Sequence, residues 1–192
     1  MTLKLGVHWF RQDLRVNHNP SIEALAKRVD KIIPIFIFDP KLRIGSVSKW
    51  WLEQSLKNLS ETIRKKNGKL NFFIGDPLKI ISSIILENNI DFFSWNRLYD
   101  PYSINRDKKI KSKLISKEIY CETFNSYLLN EPWNIKNKSG YFFKVFTPYW
   151  RFCNEITRFK KFDNQLQNFK FLNSNLKNSI KLDDLNLTDK KK

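Results

Sequence analysis

The chain has 192 residues, with 35 Lys and Arg against 19 Asp and Glu (formal net charge +16), 41% hydrophobic and 15% aromatic residues, enough apolar material for one core and a smaller appendage. No run approaches the roughly 18 apolar residues of a membrane span, and "MTLKLGVHWF" lacks the charged lead, long apolar run and small-residue cleavage site of a signal peptide. Cys121 and Cys153 are too few and too isolated for a disulfide framework or a metal site, so a soluble cytoplasmic protein in a reducing compartment is expected.

Leu3 to Phe10 reads as a first strand and Asn19 to Val29 as a short helix, with Pro20 suited to a first helical position and Ile22, Leu25, Ala26 and Val29 on one face. "KIIPIFIF", Lys31 to Phe38, is a second strand, apolar at nearly every position, which implies cover on both faces. Ser48 to Lys66 has the period of a long amphipathic helix, with Trp51, Leu52, Leu56, Leu59 and Ile63 inward, Lys57, Glu61 and Lys65 outward, and Gly68 as its stop. A strand at Leu70 to Ile74, a helix at Pro77 to Glu87, a strand at Asp91 to Trp95, a lysine-studded helix at Arg106 to Ser116 and a strand at Tyr120 to Phe124 follow. Strand and helix alternating through short connections predict right-handed crossovers and an α/β fold, a doubly wound parallel five-stranded sheet.

Beyond Phe124 the pattern decays into dense aromatics punctuated by Pro132, Gly140 and Pro148, with one helix expected from Pro148 to about Phe159. From Lys160 the chain is polar and Asn-rich with isolated Leu and Phe anchors, as in an extended strap or a linker.

In such a sheet, ligands collect beyond the carboxyl ends of the strands, where strand order reverses. Three loops there supply the residues to inspect: Arg11 to Arg15 after the first strand, Phe38-Asp39-Pro40 after the second, and Trp95 to Pro101 after the fourth. Their aromatics suit stacking, and Arg11 or Arg97 suits an acidic group, so a planar, partly anionic ring system is one reading. The other is structural, an ion-pair lattice of Arg11, Asp13, Arg15, Asp39 and Asp100 that fixes loops and caps helices. Neither G-x-G-x-x-G after the first strand nor G-x-x-x-x-G-K-[ST] occurs, which removes the usual support for dinucleotide or P-loop binding. His8 and His18 lack partners at zinc spacing, and no nucleophile sits on a sharp turn, so no metal and no catalytic residue is assigned. The six tryptophans are expected to serve core packing. The positive charge suits weak or indirect contact with DNA, although a Lys-, Asn- and Ile-rich composition also follows from AT-rich coding alone.

Several stretches, in order over about the first 150 residues, carry a resemblance. "HWFRQDLRVNHNPSIEAL", "IIPIFIFDP", the helix and strand ending in "FFIGDP", "WNRLYDPYSINRD" and "LLNEPWNIKNKSGYFFKVFTPYWR" resemble the DNA photolyase and cryptochrome family. The resemblance implies a Rossmann-like, photolyase N-terminal type of domain at residues 1–132, with 133–192 an irregular aromatic segment and polar linker toward an absent helical domain. It implies light-dependent DNA repair, a possible antenna chromophore in this domain, and FAD, lesion binding and catalysis only through a helical half supplied by a partner. A stand-alone nucleotide- or chromophore-binding module, a basic accessory protein that holds DNA, and an inactive relic are the alternatives. An antenna would lie against Phe10, Arg11, Phe38, Asp39, Asn96, Arg97 and Asp100. Folate-type members carry Asn-Glu where this chain has Tyr102-Ser103, and deazaflavin-type members carry Asp where Leu98 stands, so folate, deazaflavin and flavin all stay open.

Overall fold

The computed structural model describes residues 3–157 and 169–188. Strands β1 (Leu5–Phe10), β2 (Lys31–Phe38), β3 (Asn71–Ile74), β4 (Phe92–Asn96) and β5 (Tyr120–Phe124) form one sheet in the order β3-β2-β1-β4-β5. Every neighbouring pair is parallel, with Trp9 of β1 in register with Ile35 of β2 and Trp95 of β4. Strand order reverses between β1 and β4, which makes that gap the topological switch point.

Side chains alternate across the strands and so build two cores. Val7, Trp9, Ile33, Ile35, Ile37, Phe93 and Trp95 pack on one face against Ile81 and Ile84 of α3 (Pro77–Glu87) and Ile110 and Leu114 of α4 (Pro101–Ile115). Phe10, Ile32, Phe36 and Phe72 pack on the other against Ile22 and Leu25 of α1 (Pro20–Ala26) and Leu56, Leu59 and Ile63 of α2 (Ser46–Lys65). In β2 every residue from Ile32 to Ile37 is buried, as its unbroken apolar run requires when helices cover both faces.

Three helices start by the same local device. Asn19, Asp76 and Asp100 are N-caps whose side chains accept amide hydrogen bonds, and each is followed by a proline, Pro20, Pro77 or Pro101, at the first helical position. At α4 this cap moves the start forward from the expected Arg106 to Pro101, because Asp100 Oδ1 accepts from the Ser103 amide at 2.8 Å. Arg106 and Asp107 therefore lie inside the helix, on its second turn.

The expectation that all six tryptophans are core residues is corrected. Trp9 and Trp95 are buried, but Trp50, Trp51, Trp133 and Trp150 are all about half exposed or more, and Trp51, expected on the inner face of α2, is 66% exposed. The inner stripe of α2 runs through Glu53, Leu56, Leu59 and Ile63, which rotates Trp51 toward the rim of the sheet.

Past β5 the chain makes a short 3-10 turn at Pro132–Asn134 and helix α5 at Phe146–Ile156, two residues earlier than expected; Phe159, its expected end, lies outside the described residues, as do 160–168 of the polar segment. The described part of that segment is a strap. The amide of Ile32 donates to the Lys170 carbonyl at 2.9 Å and the Leu172 amide to the Ile32 carbonyl at 2.8 Å, beside the start of β2. Ile180 then bridges Phe72 of the edge strand β3, and Phe171, Leu185 and Leu187 enter the α1/α2 core. The isolated apolar anchors in an otherwise polar sequence are the residues that pin it down.

Candidate functional site

A cavity of about 490 Å³ opens at the carboxyl ends of β1 and β2, within the usual size of small-molecule and cofactor sites. Its apolar wall is Phe36, Ile37, Phe38, Leu42 and Ile44, with Leu52 and the exposed Trp51 from α2. Its polar lining comes from Arg11, Gln12 and Arg15 after β1, Asp39 after β2, Ser48, Ser55 and Asn58 on α2, and Arg106 on α4.

Behind the cavity lies a buried charge network. Arg11 Nη1 donates to Asp107 Oδ2 at 2.6 Å, and Arg106 reaches Asp107 Oδ1 at 3.0 Å and Asp39 Oδ2 at 3.2 Å. Trp95 Nε1 donates to Asp107 Oδ2 at 3.1 Å, and the Tyr102 hydroxyl donates to Asp39 Oδ2 at 2.8 Å. Burial together with that bond pushes the Tyr102 phenol up to about 12. The guanidinium carbons of Arg11 and Arg106 each lie 5.0 Å from the centre of the Trp9 ring. Two cations therefore share one aromatic ring and one carboxylate, and with Asp39 the network holds two positive and two negative charges. Burial lowers the affinity of Arg11 for its proton, and Asp107 opposes that shift. Trp9 Nε1 and Arg11 Nε, on two side chains that line the cavity, are buried without a hydrogen-bond partner among the described residues. Such donors are costly to leave unmade, and neither faces the open space of the cavity.

A second network locks the switch point. Asp13 accepts from the Arg11 amide at 3.1 Å, from Asn19 Nδ2 at 3.1 Å and from Asn96 Nδ2 at 2.5 Å, tying the loop after β1 to the cap of α1 and the end of β4. His8 Nδ1 shares a hydrogen bond with Ser21 Oγ at 2.9 Å, and Ser21 Oγ another with Ser94 Oγ at 2.6 Å. Burial, against the pull of Asp13 and with help from Arg11, holds His8 down at about 4, so its ring is neutral near pH 7.

Of the seven residues expected at a ligand, Arg11, Phe38 and Asp39 line the cavity, while Phe10, Asn96, Arg97 and Asp100 do not. Phe10 is fully buried in the α1/α2 core because it alternates with Trp9. The Asn96 amide is taken by Asp13 and Asn19, Asp100 caps α4, and Arg97 turns away to grip Glu131 at 2.6 and 3.0 Å and the Thr123 carbonyl. The expected lattice among Arg11, Asp13, Arg15, Asp39 and Asp100 is replaced by one through Asp107 and Arg106. Arg106, Asp107, Tyr102 and Trp51 were missed as site residues, although the Arg-Asp pair ending "YDPYSINRD" was visible once a helix start at the Asp-Pro step was placed. Among the described residues no group of three or more His, Cys, Asp and Glu is placed to hold a metal ion, and no helix is long and apolar enough to cross a membrane.

A five-stranded parallel sheet covered by helices on both faces, with a cavity beside its switch point, defines the class: a doubly wound α/β domain. Residues 6–168 match the sequence model of the DNA photolyase family. The deoxyribodipyrimidine photo-lyase of Agrobacterium fabrum is 36% identical over 154 residues, 79% of this chain and 32% of that protein. Cryptochrome-2 of Arabidopsis thaliana is 33% identical over 159 residues, 80% of this chain and 26% of that protein. Among solved structures, a class III photolyase from Agrobacterium tumefaciens superposes with a TM-score of 0.84 at 30% identity, over 97% of this chain and 39% of that one. An archaeal photolyase from Sulfolobus tokodaii, described with two FAD molecules and the implication of a novel light-harvesting cofactor, superposes with a TM-score of 0.76 at 28% identity, over 94% of this chain and 40% of that one. The chain belongs to the DNA photolyase family and matches the N-terminal α/β domain of its members. It spans about a third of the length of the Agrobacterium fabrum relative.

Proposed function

We propose that this chain is the α/β part of a light-dependent DNA-repair photolyase, that its cavity holds an antenna chromophore, and that repair requires a helical FAD-binding half. Residues 1–132 carry the sheet and its helices, and the aromatic segment and polar connection of 133–192 lead toward that half, except that 169–188 pack back on the sheet as a strap and complete its core. The observation that carries the antenna reading is an apolar slot of about 490 Å³ closed at one end by the polar side chains of Arg11, Gln12, Arg15, Asp39 and Arg106. A planar heteroaromatic ring fits it: Phe36, Phe38 and Trp51 offer faces, and the polar end with Gln12 and Arg15 offers hydrogen-bonding groups to ring or carbonyl atoms. When bound, the antenna would absorb light for the flavin of the other half. Arg11, Phe38 and Asp39 are the residues we place in direct contact, while Asn96, Arg97 and Asp100 hold the rim in shape and Phe10 packs in the core beneath it.

Equilibrium titration with folates, flavins, deazaflavins and adenine nucleotides, read by tryptophan quenching and chromophore absorbance, tests the cavity. Saturable binding is expected for at least one planar chromophore, weakened about tenfold by Trp51→Ala, roughly what one aromatic stacking interaction contributes. Absence of saturable binding up to high micromolar concentration overturns the antenna reading. Co-expression with a helical FAD-binding half from the same genome tests the repair reading. A yellow complex that repairs pyrimidine dimers in light is the expected result, and two well-folded halves that stay colourless and inactive together would overturn it. Chromophore binding without such a complex would favour the stand-alone module instead.

A further inference from the structure

We infer that the outer face of α4 is a sequence-independent contact surface for the backbone of duplex DNA. Lys108, Lys109, Lys111 and Lys113 on the helix and Lys117 just beyond it are all exposed. The remaining charges of the segment, Arg106 and Asp107, are tied to each other at 3.0 Å and turned to the sheet, so the outer face carries only positive charge. Lys109 and Lys113 extend it toward α3, where Lys79 joins them on the walls of an open groove, and Lys111 extends it toward Cys121 on β5. The acidic groups nearest this surface are engaged elsewhere or lie at its margin: Glu87 in the groove faces Lys177 at 3.8 Å, Glu122 pairs with Arg28 at 3.3 Å, and Glu118 follows Lys117 in the turn after the helix.

The other long helix of the domain shows what an ordinary solvated face looks like in this same molecule. On α2, Glu53 pairs with Lys57 and Glu61 with Arg64, both at 2.7 Å and at the helical spacings that stabilise an isolated helix. No such pair forms on α4 among the described residues, and Lys109 and Lys113 are like charges four apart, a spacing that costs a few tenths of a kcal/mol. Lys113 and Lys117 also complement the carboxyl end of the helix dipole, but Lys108, Lys109 and Lys111 lie too far from that end to be explained by it.

From Lys108 to Lys117 the row spans about 14 Å at the helical rise, a length of duplex that carries about eight phosphates. Lysines act on phosphates as point charges, and the exposed hydroxyl of Ser112 adds a donor between them. None of these groups has the planar fork that reads base edges, so the surface would position DNA without selecting sequence. An acidic protein partner fits less well, because a stable protein interface needs an apolar or aromatic centre, and the exposed apolar side chains here are separate ones, Ile115 on the helix and Leu86 in the groove.

The test is fluorescence anisotropy of a labelled, undamaged 30-base-pair duplex against the full chain over a series of salt concentrations. Three proteins are compared: the wild type, a variant with Lys108, Lys109, Lys111 and Lys113 changed to Gln, and a control with the exposed Lys27, Lys65, Lys69 and Lys136 changed to Gln. The two variants carry the same net charge, and Gln preserves helix propensity, which circular dichroism verifies. The dependence of log affinity on log salt is expected to flatten by about 3 to 4 in the α4 variant, close to 0.9 for each phosphate that is no longer neutralised. Affinity at low salt should fall more than tenfold in that variant and less than threefold in the control. Equal losses in the two variants would overturn the proposal by showing that net charge alone attracts DNA. Failure of the wild type to bind at 50 mM salt, or its full displacement by polyglutamate at equal charge concentration, would overturn it as well. None of these outcomes depends on the antenna or on a helical half.

Discussion

His8 has no exposed surface and titrates near 4, below the 6.5 of an unhindered imidazole, because burial penalises its charged form. The native state therefore refuses a proton that the unfolded chain accepts once the pH drops below about 6.5. Stability should be complete above that value, fall as the pH descends from 6.5 to about 4, and take no further loss from this group below it. The depression corresponds to about 3 kcal/mol in order of magnitude. Urea unfolding across pH 4 to 8 measures it, and His8→Asn is expected to lower stability at pH 7 while flattening the slope between 6.5 and 4. An unchanged slope in the variant would mean that other groups carry the acid lability. Asp100, whose bonds from Ser103 outweigh burial and lower its titration, acts in a separate window: its contribution is present above about 3.8 and disappears as the pH falls further. The residue scale is also where the sequence was least legible. Arg11 was singled out for its place after the first strand, yet its carboxylate partner, Asp107, lies 96 positions away. No periodicity or spacing links two such residues, and only the crossing of α4 over the end of β1 brings them within 2.6 Å.

At the scale of elements, strands and helices were readable because each is encoded within its own few residues. The apolar run of β2, the Asn-Pro and Asp-Pro helix starts and the inward stripe of α2 from Leu56 to Ile63 need no knowledge of the rest of the chain. Errors fell where local signals compete. The lysines of α4 drew its expected start to Arg106, whereas the Asp100 cap and Pro101 set it five residues earlier. The strap is an element of a different kind, held by long-range bonds and by one close approach. A Cβ on Gly68 would lie 2.2 Å from Cβ of Phe171 and 2.9 Å from Cγ2 of Ile63, so this glycine permits the strap to pass over the end of α2. Gly68→Ala should destabilise the domain by about 1 to 3 kcal/mol, as overpacking of a filled core does. It should also raise the rate at which proteases cut within 169–188. Urea denaturation and limited proteolysis check both, and a variant as stable and resistant as the wild type would show that the strap shifts without cost.

For the whole molecule, charge and apolar surface act in opposite directions. Tyr141, Phe142, Phe146 and Trp150 are between about half and three-quarters exposed, and the rings of Phe146 and Trp150 stack with centres 6.2 Å apart on α5. A patch of this kind on an isolated chain promotes association, while a formal net charge of +16 repels like molecules at low salt. Self-association should therefore grow as salt screens that charge, the reverse of the salt effect expected for DNA on α4. Size-exclusion chromatography with light scattering at 50 and 500 mM salt measures this. Phe146→Lys with Trp150→Lys is expected to restore the monomer, and a wild type that stays monomeric at both salts and tens of micromolar would show that the aromatic tail is satisfied within its own chain.

Taken alone, the amino-acid order determined the alternation of strand and helix, the two-sided burial of the central strands and so the parallel doubly wound sheet, because hydrophobic period and capping are properties of neighbouring residues. It also carried the family, through motifs whose order survives without any coordinates. Tertiary structure alone decided which rim residues face the cavity. Arg11, Phe38 and Asp39 do so, joined by Trp51 and Arg106, while Asn96, Arg97 and Asp100 are spent on holding loops. The physical reason is that a side chain at a strand's end has several partners within reach, and the choice among them is set by helices and loops that arrive from distant parts of the chain.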